Sequence, residues 1–440
     1  METIVVKFGG TSLASASQIR KAAEIIKSNP ARRFVVCSAP GKRDKGDTKV
    51  TDLLLQSYAL AAESDGDFAP SLAQVEERFS EIVEELGVDF DLAGEIAAIS
   101  AHLNGKNEKD YMVSRGEYLN SKLIAAYLGF PFVDPADCVC FGADGEFDAD
   151  QTNRKLFAAL TPLDYAVVAG FYGALPDGTV KTFSRGGSDI TGAIVARAVN
   201  ADIYENWTDV SGMLAADPGI VDSPRVIDYI SYQELRELSY MGSSVFHEDA
   251  VFPCQRAGIP INIRNTNRPE DQGTMIVASL PRILPPRTVT GVAGRKGFTS
   301  IQIEKALMNG EIGFGARLLK IFADHHVSFE HCPSGIDTMS VIVQSDALTG
   351  CREQIMQEIR EQLHPDALIA EDHLALIAVV GHGFSYKIGF SARLFAAVSE
   401  MGVNIRMIDQ GSSELNIILA VEERDLEAAI RGIYEKLFDN

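Results

Sequence analysis

An α/β sandwich followed by two small ferredoxin-like units is the fold class this 440-residue sequence predicts. Three observations carry that expectation. The chain opens on strand, glycine turn, helix, strand. Strand and helix patterns then alternate over roughly the first 280 residues. After a proline-rich break, a weak β-α-β-β-α repeat occupies the remainder.

Residues 3–8 (Thr-Ile-Val-Val-Lys-Phe) read as a buried strand running into Gly9-Gly10. Ile19, Ala22, Ala23, Ile25 and Ile26 have helical spacing, predicting a helix over 17–28. A second strand is expected at 34–37, ending at Ser38. The stretch 50–103 is mostly helical, and strand signals return at 131–133, 165–169, 201–205 and 259–263. Three prolines between 281 and 286 cannot continue a helix or a central strand, so the main boundary falls there.

The first repeat carries strands at 298–303, 327–331 and 338–343, a glycine turn at 313–315, and helices at 318–325 and 349–363. The second carries strands at 375–380, 403–407 and 414–420, a turn at 381–383, and helices at 390–401 and 423–438. The expected domains are therefore 1–285, 298–372 and 373–440.

A formal net charge of −21, from 61 acidic and 40 basic residues, disfavours nucleic-acid and membrane-surface partners. An anionic substrate then needs a local cationic site. The N-terminus lacks signal-peptide regions, and no run of about 18 apolar residues is present. Six cysteines without a C-x-x-C pair read as free thiols in a reducing cytoplasm. Cys138 and Cys140 are expected on one face of a strand. The eight histidines form no metal set.

Four stretches can carry chemistry. Lys7-Phe8-Gly9-Gly10-Thr11-Ser12 closes a strand before a helix, and its amides and lysine suit a phosphate. The plain alternative is a βα turn whose lysine caps the strand. Gly41–Gly46 has Walker-type glycine spacing, but Asp47 stands where lysine is needed. Ser184-Arg185-Gly186-Gly187-Ser188-Asp189 opens a helix and offers a guanidinium fork for a carboxylate; equally it is a capped turn. Trp207-Thr208-Asp209-Val210 puts polar groups at a strand's carboxyl end, where open α/β sheets bind ligands. Ser114-Arg115-Gly116-Glu117 precedes a helix, where Glu117 either holds an ammonium group or is a first-turn glutamate favoured by the dipole.

Together these motifs resemble the aspartate kinases of the amino acid kinase family, over the whole chain. K-F-G-G-T-S at 7–12 matches the family's opening signature. S-R-G-G-S-D at 184–189 is similar to G-R-G-G-S-D, and W-T-D-V-S-G at 207–212 to W-T-D-V-D-G. Asn262–Thr266 matches its late strand, and the C-terminal units resemble ACT domains. The resemblance implies ATP-dependent phosphorylation of the aspartate β-carboxylate, with magnesium, and feedback by lysine or threonine. It implies a homodimer or dimer of dimers.

By the same resemblance, Lys7, Phe8, Gly9, Gly10, Thr208, Asp209 and Asp217 serve the nucleotide. Ser38, Thr51, Glu117, Arg185 and Ser188 hold aspartate, and Lys7 and Asp189 are catalytic. Met308, Gly313, Gly315, Glu330, His331 and Ser334 receive the effector, with no resident metal. Three positions depart from the family pattern: Gly219 and Ser244 replace a nucleotide-side arginine and lysine, and Ser184 replaces glycine. The competing readings are a kinase of another small substrate and a non-catalytic amino-acid sensor.

Overall fold

A computed structural model describes residues 2–63, 67–105, 108–184, 186–242, 250–280, 288–384, 387–411 and 413–438. The chain divides into two compact units. The first comprises Met1–Met213, Val226–Leu235 and Ser244–Arg282; the second comprises Leu214–Arg225, Arg236–Ser243 and Ile283–Asn440. The 281–287 stretch, where the main boundary was expected, lies outside the described residues.

The first unit is built on one sheet. Its strands are β1 (Ile4–Phe8), β2 (Arg32–Cys37), β3 (Phe132–Val133) and β4 (Ala166–Ala169). A separate hairpin, β5 (Tyr172–Ala174) with β6 (Val180–Thr182), follows. The sheet continues with β7 (Ile203–Thr208), β8 (Tyr229–Ser231), β9 (Ile261–Asn265) and β10 (Thr274–Val277). The order is β3-β4-β2-β1-β7-β9-β10-β8, parallel except for the β9–β10 pair. Every side chain of β1 is buried, so this central strand reads as a continuous apolar run interrupted by Lys7 alone.

The helices follow from local chemistry. Helix Ala16–Lys27 starts at Ser15, whose hydroxyl accepts from the Gln18 amide, and buries its Ile19, Ala22, Ala23 and Ile26 face. Helix Lys109–Leu128 is 20 residues long and buried over most of its length. It contains Ser114–Glu117, so Glu117 sits in mid-helix rather than in the first turn that the sequence suggested. Gly116 hid this continuity. A Cβ there would lie 2.8 Å from the Ala39 Cβ, so the glycine marks a close approach and not a helix end. Cys138 ends the short helix Pro135–Cys138 and Cys140 bridges to Ala174, so the pair does not share a strand. Both are buried thiols.

The second unit holds a six-stranded sheet. Its strands are β11 (Gly291–Glu304), β12 (Phe329–His331), β13 (Thr338–Gln344), β14 (Ala367–Val380), β15 (Met407–Asp409) and β16 (Asn416–Glu422). The order is β12-β13-β11-β14-β16-β15. β11 and β14 are each 14 residues long and pair antiparallel along their length. The last half of β11 joins β13 and the last half of β14 joins β16, so the second repeat borrows the first half of β11, which lies ahead of the first repeat.

The sequence reading began β11 seven residues late. The cause is Gly291, Gly294 and Gly297, which look like loop. A Cβ on Gly291 would lie 2.7 Å from Leu238, and one on Gly294 would lie 2.7 Å from Leu426. Packing demands glycine there. The second repeat's helix turn is likewise at Gly389 (φ 82°), matching Gly313 (φ 80°), rather than at 381–383. Each opens an Ile-Gly-Phe-x-Ala-Arg-Leu helix start, at 312–318 and 388–394.

Candidate functional site

In the first unit, the predicted residues gather at the carboxyl ends of β1, β2, β4 and β7, the end at which open α/β sheets bind ligands. Lys7 is buried near the end of β1, and its Nζ lies 2.5 Å from Asp189 Oδ1. Asp189 sits in the first turn of helix Gly187–Ala198, which opens at Gly186 with φ 60°. The Asn206 side-chain amide, on β7, donates to the same carboxylate at 2.7 Å. A lysine, an aspartate and an asparagine from three elements thus form one cluster.

The β1 turn that follows is tightly held. The Gly9 amide donates to the Trp207 carbonyl at 2.9 Å. The Gly41 amide donates to the Gly10 carbonyl at 2.8 Å. A Cβ on Gly41 would fall 2.6 Å from the Gly10 carbonyl carbon, so this contact requires glycine. Phe8 stacks on Trp207 with ring centroids 6.1 Å apart.

Arg78, itself buried, ties the two loops together. Its guanidinium donates to the carbonyls of Ala14 (2.8 Å) and Gly41 (2.9 Å) and pairs with Asp47 at 2.6 Å. Asp47, the residue that ruled out a Walker loop, also binds Arg43. Its carboxyl is held well below the usual range, first by the Arg43 hydrogen bond and then by Arg78.

Ser38 follows β2, and its carbonyl accepts from the Asn120 side chain at 2.7 Å. Thr51 is the second residue of helix Val50–Ala61 and is half-buried. Ser188 packs on Gly170 after β4, with its Oγ 2.6 Å from where a Cβ would stand. Glu117 is buried with its Oε2 unbonded, although its neighbourhood includes Lys7 and Arg115. Burial pushes its carboxyl up to about 7, against the pull of the Ala39 and Glu117 backbone amides and of Lys7 and Arg115. A buried acceptor without a donor is a place for a ligand's N–H.

Thr208 ends β7, and its hydroxyl bonds the exposed Asp209 carboxylate at 3.2 Å. Asp217 belongs to the second unit, where it caps a turn by accepting from the Gly219 amide at 2.8 Å. Arg185 and Ser244 lie outside the described residues. Asn206, Asn120 and Arg78 were not singled out from the sequence. The available signal for Asn206 was a polar residue inside the buried run Tyr204–Trp207.

In the second unit, Met308 is buried in the turn Met308–Gly310, and Gly313 and Gly315 lie at the start of helix Phe314–Asp324. Glu330 and His331 lie on β12. Glu330 accepts from the Gln344 amide at 2.8 Å and from the Tyr240 hydroxyl. His331 Nδ1 is 2.7 Å from Asp409 Oδ2. Ser334 bridges to Met339, whose methyl would lie 3.7 Å from a Cβ on Gly315. Among the described residues, no group of three His, Cys, Asp or Glu side chains could hold a metal ion. No described helix is long and apolar enough to cross a membrane.

This fold and this site define a small-molecule kinase domain joined to a paired regulatory fold. The amino acid kinase family model matches residues 2–265, and an ACT domain model matches 377–437. Aspartokinase 3 of Bacillus subtilis is 42% identical over 453 aligned positions, covering 99% of this chain and 98% of that protein. The crystal structure of Clostridium acetobutylicum aspartate kinase superposes with a TM-score of 0.89 at 45% identity, covering 99% of this chain and all of that one. Escherichia coli aspartokinase III, 25% identical, matches with TM-scores of 0.76 as its aspartate and ADP complex and 0.74 as its lysine and aspartate complex. Those two matches cover 99% and 100% of this chain, and all of each solved chain. The chain belongs to the amino acid kinase family and, within it, to the aspartokinases.

Proposed function

We propose that the protein phosphorylates the side-chain carboxylate of L-aspartate with ATP, giving 4-phospho-L-aspartate and ADP. The observation that carries this reading is the buried, unbonded Glu117 oxygen at a site where Lys7, Asp189 and Asn206 already converge. A substrate ammonium answers Glu117, and Arg185 takes the α-carboxylate. Ser38, Thr51 and Ser188 complete the aspartate pocket.

Aspartate needs no general base, because its β-carboxylate has a reference pKa of about 3.9. The difficulty is bringing it against a triphosphate. Lys7 neutralises charge on the moving phosphoryl group, and Asp189, itself fixed by the Asn206 amide, holds its ammonium in place. Since the Gly9 amide is committed to Trp207, Gly10 and Thr11 are the amides left for a phosphate oxygen. Phe8, Thr208 and Asp209 complete the nucleotide side. Magnesium enters with ATP, bound through phosphates and one or two carboxylates. Asp189 and Asp209 are the carboxylates suited to it.

Residues 1–285 form the catalytic part, with regulatory repeats at 298–372 and 373–440. The effector is an amino acid, lysine or threonine, received by Met308, Gly313, Gly315, Glu330, His331 and Ser334. Glu330 suits the ammonium of lysine. The working form is a cytoplasmic homodimer or dimer of dimers.

An ADP-release assay with ATP, magnesium and L-aspartate tests the reading. Aspartate-dependent turnover suppressed by L-lysine is the expected result. Suppression by threonine alone would reassign the effector, and no turnover in a folded sample would overturn the kinase assignment.

A further inference from the structure

A cavity of about 400 Å³ opens in the first unit between helices Ala149–Leu160, Gly187–Ala198 and Val251–Ala257. That volume is within the range of sites that enclose small molecules. Ile190, Ile194 and Arg197 line it from one face of their helix, at spacings of four and three residues, and Phe183 adds an aromatic wall. None of the described residues placed in the substrate site lines it.

Three polar groups at this cavity have no partner among the described residues. The Asn153 Oδ1 is shut off from solvent and accepts no hydrogen bond. The Arg197 and Arg256 guanidiniums make no ion pair or hydrogen bond with any described residue. In a chain of net charge −21, these two arginines make a local cationic spot beside an apolar cavity. A guanidinium fork fits a carboxylate, and apolar walls fit a hydrocarbon body. The Asn153 amide can accept from an ammonium or, turned over, donate to a keto oxygen.

We propose that this cavity is a second small-molecule site, taking an aromatic or branched 2-amino or 2-oxo monocarboxylate whose carboxylate meets Arg197 and Arg256. Ile190, one of its lining residues, directly follows Asp189, so a bound ligand acts on the helix turn that carries Ser188 and Asp189. The binding claim stands whether or not the protein proves to be a kinase.

The test is isothermal titration of the full chain with L-phenylalanine and, separately, phenylpyruvate. Saturating L-aspartate, L-lysine and L-threonine are present throughout to fill other amino-acid sites. The expected result is saturable binding of at least one probe, weakened at least tenfold by Arg197→Gln or Arg256→Gln and abolished by Ile194→Trp, which fills the cavity. Circular dichroism checks that each variant is folded; Arg256 is exposed, so its variant keeps the test valid should the helix variants misfold. Binding of phenylalanine alone assigns the 2-amino class, and binding of phenylpyruvate alone the 2-oxo class. No binding of either probe at millimolar concentration, or binding that Arg256→Gln and Ile194→Trp leave unchanged, overturns the proposal.

Discussion

Lys7 and Asn206 are register partners on adjacent parallel strands, and both reach the Asp189 carboxylate. The carboxylate that holds Lys7 is therefore itself held from two sides before any ligand arrives. Lys7→Ala should fold normally and lose about 10²–10³ in kcat, the scale of one preorganised charge-stabilising donor. Steady-state kinetics beside circular dichroism checks this, and near-normal turnover would remove Lys7 from the mechanism. Asn206→Ala should cost less, roughly tenfold, because Asp189 keeps its ion pair.

Glu117 sets a pH dependence. Burial raises its folded-state pKa from 4.5 to about 7, so between those values the folded protein binds more protons than the unfolded chain. Its contribution to stability is complete below pH 4.5, falls as pH rises and is flat above about 7. Glu117→Gln should abolish that slope and be more stable than the parent at pH 8 by about 3 kcal/mol, from roughly 1.4 kcal/mol per pKa unit. Urea denaturation at pH 5 and pH 8 measures the difference.

The same residue predicts a kinetic effect with a different sign of benefit. An ammonium needs the ionised carboxylate, so the KM for aspartate should rise as pH falls from 8 to 6. In Glu117→Gln the KM should be high throughout and lose that dependence. A pH profile unchanged by the substitution would detach Glu117 from the substrate.

Arg78 holds the carbonyls of Ala14 and Gly41 as well as Asp47. Arg78→Ala leaves the two buried carbonyls unanswered and Asp47 with Arg43 alone, and should destabilise the fold by about 2–4 kcal/mol. Thermal unfolding would register this as a clear drop in Tm. A loss under about 1 kcal/mol would mean that Arg43 alone satisfies Asp47.

Glu330→Ala should raise the lysine concentration for half-inhibition at least tenfold while leaving uninhibited turnover nearly intact. The change removes the acceptor now bonded by Gln344 and Tyr240. Inhibition curves decide it; unchanged lysine sensitivity would place the effector elsewhere.

Where side-chain chemistry and chain pattern agree, the sequence was legible. The β-branched run before Gly9-Gly10 announced β1 and the turn, and Gly186-Gly187 announced the helix carrying Asp189. Legibility failed where a glycine served packing instead of turning. Gly116 disguised the middle of a long helix, and Gly291, Gly294 and Gly297 disguised half of β11. The three-residue β8 and the four-residue β10 were too short to show a period. Asn206 and Arg78 were invisible for another reason: their partners stand 17 positions away for Asn206 and 31 to 64 positions away for Arg78.

The paired strands β11 and β14 bear on how such a protein can change over generations. A crossover at 372/373 would fall inside β14 and splice strand halves of different origin within one six-stranded sheet. A recombinant carrying one repeat from a relative would inherit a strand whose pairing partner stayed behind. The heritable cassette is the whole stretch from 291 to 438, and new effector preferences in this lineage should arise by point substitution or by exchange of that entire block.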